Sequence, residues 1–511
     1  MTPSRMHRRT TRLPRAVLVA SMVLVALVIA ACSSRDEPEP TTTTTTTTTP
    51  PSTTSPSDAP PGAGQEQGAA EEAPAPEWIV QIGSPQDDAL LAVAARDDEV
   101  IATGYTAGSA WGTAQGGGDV LSAVVGTDAE IRAVEQSGGP GNDVGFGIGS
   151  SNGTTISCGD TESDLGGINS GGSDAWCATL GTLGEATSVY QQGGAETDRL
   201  AAVTVEPEGA LGYAGGFTLG LFPGASDSSA GQLGQGDAII WQLNPDGSPR
   251  WIRQFGSAAA DEGRGLATTE DGDGLIVGST EGDVDGASNG GTDGFIARFD
   301  RDGLPRFIRQ FGSDGSDVPN AIASGGEPTR GTETFVTAGG TDSALAPALG
   351  AELTDPTDGP RADGAEPAPR NAGGTDAMVV AVDPGGEQRW ITQLGSDRDD
   401  EATAVTIDGT TVLVAGHTTG VLDTAGNPSA GAVDGFLAAL DLETGSLRWI
   451  TQFGSDADDY VHGMTITEDG LIVVSGYTSG ALDDNTNAGG TDGYLIAFPL
   501  PSAGGAAASI L

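Results

Sequence analysis

The chain predicts an all-β fold, a seven-bladed β-propeller with four antiparallel strands per blade, and three observations lead there. A Gln is followed by Gly at +2 and Asp at +7 seven times, with Gln81, Gln136, Gln191, Gln254, Gln310, Gln393 and Gln452 as anchors. Their partners are Asp88, Asp143, Asp198, Asp261, Asp317, Asp400 and Asp459, and successive Gln residues lie 55, 55, 63, 56, 83 and 59 positions apart. A period of that length means one supersecondary unit used repeatedly. Each interval also holds four short apolar runs divided by turn residues, without a helical period. Finally, the repeats begin with a fourth-type strand and end with a third-type strand, so the N-terminus completes the last blade and closes the ring.

Residues 1–31 read as an export signal. Arg5, Arg8, Arg9, Arg12 and Arg15 precede an apolar run, Ala16 to Ala31, too short and wrongly flanked for a spanning helix. The run ends Val28-Ile29-Ala30-Ala31-Cys32, which resembles a bacterial lipobox and implies Cys32 as the lipidated first residue of the exported chain. An ordinary signal peptide with an incidental Cys is the alternative. Residues 32–77 hold nine consecutive Thr, Thr41 to Thr49, among Pro, Ser, Ala and Glu. Such a segment has nothing to bury and is expected to be a disordered stalk.

The propeller is expected over 78–500, followed by a tail, 501–511. In the repeat from Gln393, a polar turn over 397–400 leads to an apolar strand over 402–407. Asp408-Gly409 is a hairpin turn, strand 411–415 closes with Gly416-His417-Thr418, and strands over 435–440 and 448–452 follow. Gly-x-Thr recurs at Gly104, Gly159, Gly216, Gly278, Gly339, Gly416 and Gly476. An Asp opens each third strand: Asp119, Asp174, Asp237, Asp293, Asp376, Asp434 and Asp492. Three residues before the Gln stands Trp78, Trp251, Phe307, Trp390 or Trp449, replaced by Ala133 and Ser188 in two repeats. The 342–371 stretch is an insertion in the fifth repeat. With the Phe222-Pro223 loop, it breaks the symmetry and points to where a specific function would sit.

The run Gly-Gly-x-Asp, apolar strand, Trp-x-x-Gln-x-Gly, Asp, then Gly-x-Thr resembles the bacterial extracellular seven-bladed β-propeller (SBBP) repeat; Asn289 to Gln310 is among the best matches. The resemblance spans about residues 78–500 and implies an exported propeller. It implies no defined activity.

Composition narrows function further. There are 22 Arg and no Lys against 71 acidic residues, and loss of the signal's five Arg leaves 17 against 71, a net charge of −54. So acidic a surface disfavours nucleic acid and anionic headgroups and favours cations, basic partners or simple solubility. Cys158 and Cys177 fall on successive strands in a disulfide-permissive compartment, so a cross-strand bridge is expected, with two buried thiols as the alternative. The two Asp sets should fringe one face, either as a cation site or acidic docking face or, as sevenfold repetition favours, as caps of tight turns. Asp283 and Asp285, and Asp483, Asn485 and Asn487, are sparse calcium-type ligands without an EF-hand's distal Glu; calcium is the one cofactor they would take. Gly149-Ser150-Ser151-Asn152-Gly153 matches a nucleophile-elbow spelling but lies between two strands. The exported chain has only His417 and His462, and no catalytic set is expected. The reading is therefore a lipid-anchored surface propeller, expected to be a monomer, that binds an envelope or extracellular protein or polysaccharide. A structural surface protein without a ligand and an enzyme using the central face are the alternatives.

Overall fold

The computed structural model describes residues 73–501 apart from 208, 210, 228–233, 286–287, 327–331, 346–351, 355–370, 423–430 and 484. The export signal, Cys32, nearly all of the stalk, most of the 342–371 insertion and the tail beyond 501 lie outside the described residues. All regular structure among the described residues is β, arranged as seven sheets. The sixth blade shows the plan: Asp400–Asp408 innermost, then Thr411–Thr418, Asp434–Asp441 and Leu447–Phe453 outermost, each antiparallel to its neighbour. The repeated Asp that sequence assigns to the turn is in fact the first residue of the inner strand.

The last sheet is completed from the other end of the chain. Trp78–Ile82 pairs antiparallel with Asp492–Pro499, beside Leu471–Thr478 and Asp459–Ile466. Inner strands of successive blades, and of the last and first, lie against each other, so the ring is closed. Closure leaves no inner edge for another chain to pair with.

Two blades depart from four strands. Ser226–Asp227 and Glu352–Thr354 each add a fifth strand, parallel to the outer strands Pro249–Phe255 and Gln388–Leu394. Both come from the second-to-third loops that stretch the period to 63 and 83 residues. The Phe222-Pro223 loop is thus a packing device. Phe222 is 1% exposed with its ring 5.3 Å from Trp241, and its N–H donates to Gln254 Oε1 (3.0 Å).

The core is a set of apolar wedges between blades. One joins Val336, Val379 and Trp390 to Val412, Val414 and Phe436; another joins Leu413, Leu437 and Trp449 to Ile472, Val474 and Tyr494. At three junctions the aromatic three residues before Gln ties the wedge to the next blade: Trp78, Trp251 and Trp390 donate Nε1–H to Thr127, Arg301 and Leu442 carbonyls, each at 3.0 Å. Where the aromatic is missing, smaller links replace it. Ser188 Oγ donates to Asp246 O (3.1 Å), and Arg96, on the inner strand of Ala133's blade, reaches Gly181 O and Thr182 O (2.9 and 2.8 Å). Between those first two blades the apolar clusters are smaller, and a cavity of about 190 Å³ is lined by Val120, Trp176, Ala178 and Val189.

Every inner strand carries a β-bulge at the same place, leaving one residue out of register: Leu91, Phe146, Ala201, Arg264, Asn320, Thr403 and His462. The bulge turns an inner-strand carbonyl onto the Gly of Gly-x-Thr. A Cβ at Gly104 would stand 1.9 Å from Ala89 O, and at Gly159 1.8 Å from Val144 O. Only glycine permits that approach.

Because the last blade depends on Trp78–Ile82, deletion of those five residues should lower the melting temperature by roughly 10 °C. Differential scanning calorimetry checks this; an unchanged melt would mean that the ring is held shut without them.

Candidate functional site

The residues that repeat and the residues that vary occupy different places, and their geometry separates scaffold from site. Both Asp sets lie at one end of the blades, as the register of Asp88 with Thr106 and of Thr106 with Asp119 requires. They do not fringe that face, however: all fourteen are 0–3% exposed. Each inner-strand Asp accepts, through Oδ2, the backbone N–H four residues earlier at 2.5–2.7 Å. Thr161, Thr218 and Thr341, from Gly-x-Thr, donate to Oδ1 of Asp143, Asp198 and Asp317. The N–H of each inner-strand Asp also donates to a carbonyl of the preceding blade, as from Asp88 to Thr491 and Asp317 to Thr292. These Asp residues are turn caps and blade stitches.

Gln completes the joint. In six blades its Nε2 donates to the third-strand Asp, from 2.7 Å at Asp119, Asp237 and Asp293 to 3.3 Å at Asp174. In every blade Nε2 also donates to a carbonyl of the second-to-third loop, for example Gly108 O at 2.9 Å. The glycine at +2 lies between two carboxylates: a Cβ at Gly312 would stand 2.3 Å from Asp293 Oδ1 and 2.9 Å from Asp317 Oδ2. Blade two shows a local compensation. Gly139 stands where five other blades have a hydroxyl on the capping Asp or the turn, and Ser163 Oγ supplies it, 3.2 Å from Asp143 Oδ2 and accepting from Gly141 N–H (2.8 Å).

Burial pushes the carboxyls of Asp88, Asp198, Asp261, Asp317, Asp400 and Asp459 above their usual range, partly offset by the hydrogen bonds they accept. Asp376 goes furthest, to about 6, through burial and the nearby Asp400 carboxylate. Its Gln393 donates to Ser343 O (3.1 Å) instead, leaving the Ala372 N–H (2.8 Å) as a capping donor.

The cysteines and calcium-type loops resolve separately. Cys158 and Cys177 face each other directly across strands Thr154–Thr161 and Asp174–Leu180, with Cα atoms 4.1 Å apart, and are joined as a buried disulfide. Four of the five calcium-type residues make hydrogen bonds within or beside their loops. Asp283 accepts Ser288 N–H (2.9 Å) and Asp285 accepts Gln310 N–H (3.0 Å). Asn485 donates to Leu482 O (3.0 Å), and Asn487 caps its own turn by accepting Gly489 N–H (2.9 Å). Side-chain oxygens of Asp283, Asp285 and Asn487 thus accept backbone N–H groups, and no group of three or more acidic, His or Cys side chains converges on a metal position among the described residues. Calcium needs six or more oxygens at one point.

The varied residues gather at the mouth of the central channel. Three positions per blade are free of the repeat: the residue after the inner-strand Asp, the bulged residue, and the middle residue of Gly-x-Thr. Register places the first and third opposite each other, as in Arg199 with Phe217, Glu401 with His417 and Tyr460 with Tyr477. The channel itself holds about 180 Å³ and is lined by backbone and mostly apolar side chains, with Asn320, Thr403 and His462 as its polar side chains.

Across blades four to seven the mouth residues form one chain of contacts. Arg264 pairs with Glu262 (2.8 Å) and reaches Asn320 Oδ1 (3.4 Å); Asn320 Nδ2 donates to Glu401 Oε1 (2.8 Å). Glu401 lies 3.8 Å from His417 Nε2, whose ring meets Tyr460 edge-on at 5.0 Å. Tyr460 stacks on Tyr477 (5.0 Å), and Tyr477 stacks on His462 (5.4 Å). On the far side Arg199 lies over Phe146 (4.3 Å) and pairs with Asp160 (3.0 Å). Burial keeps both imidazoles neutral at pH 7, His462 falling to about 3. His417 Nδ1 and His462 Nε2 have no hydrogen-bond partner among the described residues. The mouth therefore offers aromatic faces, two neutral imidazoles, and Arg and Glu side chains. Sequence reasoning treated the two His as isolated; their shared place emerges only when register brings a bulge and a Gly-x-Thr together.

No known family profile matches the chain, and no characterised protein matches it in sequence. Solved structures are similar in fold alone. Pyrococcus horikoshii acylaminoacyl peptidase is 12% identical, with 81% of this chain and 52% of that one covered and a TM-score of 0.41. The chain thus spans about half of that protein's length. Pseudomonas aeruginosa periplasmic gluconolactonase is 12% identical over 78% of this chain and 100% of its own, with a TM-score of 0.42. The β-propeller domain of the trilobed protease from Pyrococcus furiosus is 10% identical over 83% and 98%, with a TM-score of 0.40.

Two predictions follow from the joints and the bridge. A carboxyl raised on folding from 3.8 to about 6 contributes stability that is complete below pH 3.8 and is lost as pH rises through about 6. Asp376→Asn keeps the acceptor for Ala372 and removes the charge, so it should raise the melting temperature over the parent at pH 7 and not at pH 4. A difference independent of pH would refute the assignment. For the bridge, intact-mass analysis after alkylation in denaturant without reductant should find neither Cys158 nor Cys177 labelled, and both labelled when reductant is added; labelling of both in denaturant alone would mean two buried thiols.

Proposed function

We propose that this chain is an exported lipoprotein, anchored through Cys32, whose propeller binds a protein or polysaccharide of the envelope or its surroundings at the channel mouth. The leader and lipobox support export and anchoring. The resemblance to SBBP repeats supports an extracytoplasmic setting. The observation that carries the binding reading is the separation of constant from varied residues: fourteen Asp and seven Gln build the same joint around the ring, while the mouth carries a different side chain in almost every blade. A ring that served only as structure has no need to concentrate Arg199, Arg264, Glu401, both imidazoles and stacked Tyr side chains at one opening. The aromatic faces supply contact area at small conformational cost, and the arginines and glutamates supply direction. The small volume of the channel behind them, about 180 Å³, favours recognition at the surface over chemistry in a deep pocket.

Envelope fractions prepared from the native host should retain the wild-type chain, and Tyr460→Ala combined with Tyr477→Ala should weaken that retention by about tenfold. Thermal melts of the double variant verify folding. Retention equal to wild type in a folded variant would move the binding surface elsewhere, and shortening of an envelope polymer by the wild-type chain would replace the binding reading with an enzymatic one.

A further inference from the structure

The face opposite the mouth holds a second feature, which combines one repeated arginine position, four residues before the repeat Gln, with arginines particular to blade four. Seven of the chain's arginines fall between residues 250 and 309: Arg250, Arg253, Arg264, Arg298, Arg301, Arg306 and Arg309. Four of them line an open cleft of about 600 Å³ between the hairpin turns of blades four and five. In a chain of net charge −49 this is a concentration of cationic side chains that solubility does not call for.

The cleft has a fixed floor and free walls. Arg298 is the floor: its Nε donates to Asp273 Oδ2 (2.9 Å) and Nη1 to Pro384 O (3.3 Å), with side-chain exposures of 11% for Arg298 and 7% for Asp273. Arg306 and Arg309 are the walls. Arg306 is 58% exposed, and its nearest carboxylate oxygens, on Asp273 and Asp300, lie 3.5 and 3.8 Å away. Arg309 is 43% exposed, 3.9 Å from the exposed Glu387, and donates only to its neighbour Ile308 O (3.1 Å). Arg306 stands at a bulge of the outer strand Pro305–Phe311, between the paired Pro305 and Phe307. Buried Phe307 lies under Arg309, 5.9 Å from its guanidinium. Two guanidiniums thus present unused N–H donors to the same space, supported by a buried ion pair beneath.

We infer that this cleft binds a carboxylated sugar of the uronic-acid type. A guanidinium fork matches a carboxylate or a phosphate. Asp271, Asp300 and Asp302 share the lining, and these carboxylates decide between the two. They repel a doubly charged phosphate more than a singly charged carboxylate, and they accept hydrogen bonds from sugar hydroxyls, which a phosphate lacks. The lining of four Arg and four Asp is balanced, so attraction is local and depends on alignment with the forks, not on the field of an acidic protein. The inference is independent of the channel mouth, which lies on the other face.

Titration calorimetry of the full chain with trigalacturonate at low ionic strength tests it, with neutral trigalactose and inorganic phosphate as parallel arms. Trigalacturonate should bind and release as salt rises, trigalactose should not bind, and phosphate should bind at least tenfold more weakly. Arg306→Gln with Arg309→Gln, both exposed positions, should weaken trigalacturonate at least tenfold, whereas Arg132→Gln on blade one and the Tyr460/Tyr477 variant should not. Absence of trigalacturonate binding to the wild type, or equal binding by the double arginine variant, would overturn the inference. Phosphate binding as tight as trigalacturonate would overturn its carboxylate specificity.

Discussion

The ring rests on a buried carboxylate that has no cationic partner. Burying an ionised group is costly unless hydrogen bonds replace its water, and each inner-strand Asp is supplied with them by its own turn. The capping N–H comes from four residues earlier, and a Thr hydroxyl from the adjoining strand faces the other oxygen. The same residue's N–H crosses to the preceding blade. One side chain and its amide therefore bind a turn, two strands and two blades. A second carboxylate, held by Gln, lies close by, and only a glycine fits between them. The spacing Gln, Gly at +2, Asp at +7 is the linear trace of this joint. It recurs because each junction poses the same packing problem.

The joints also hold part of the chain's acidity. Fourteen of the 71 acidic residues are internal to the joints. Burial, with a smaller contribution from their proximity, raises several of them, and the proton affinity is greatest at Asp376, whose Gln393 donates to a loop carbonyl. The joint is a compromise: electrostatically unfavourable when charged, yet geometrically specific, since hydrophobic side chains there would leave the turn N–H groups unsatisfied.

Much of this was legible in the linear chain because a closed ring of equal blades must repeat its constraints. Blade number, strand order and the Trp78–Ile82 closure follow from fixed residues at fixed spacing. The joint's interior was not legible. The Asp residues look like a surface fringe until register shows them under the loops, and Ser163 replacing a hydroxyl at Gly139 leaves no signature in sequence distance. The fifth strands were hidden because a two- or three-residue parallel pairing has no hydrophobic period. Phe222 stood out as an irregular loop residue pointing to a site and is a plug against Trp241. The mouth was hidden for a further reason: its residues come from three positions that sequence comparison within the chain discards as variable.

That variability is where the physical asymmetry lies. Side chains that cap, stitch or clip must be the same in each blade, since any other choice leaves a buried group unpaired or collides with a carbonyl. Bulged inner-strand residues are under no such constraint, because the bulge takes them out of the ladder and turns them to the channel. Hence Leu91, Phe146, Ala201, Arg264, Asn320, Thr403 and His462 differ while their neighbours match. The outer strands are bulged as well, at Arg132, Thr187, Arg250, Arg306, Arg389 and Arg448, and there one residue type predominates. An inner-strand bulge costs a ladder hydrogen bond and returns a side chain whose identity the scaffold does not dictate. The same local irregularity that lets seven strands curve around an axis therefore supplies the positions at which a uniform ring acquires distinct faces.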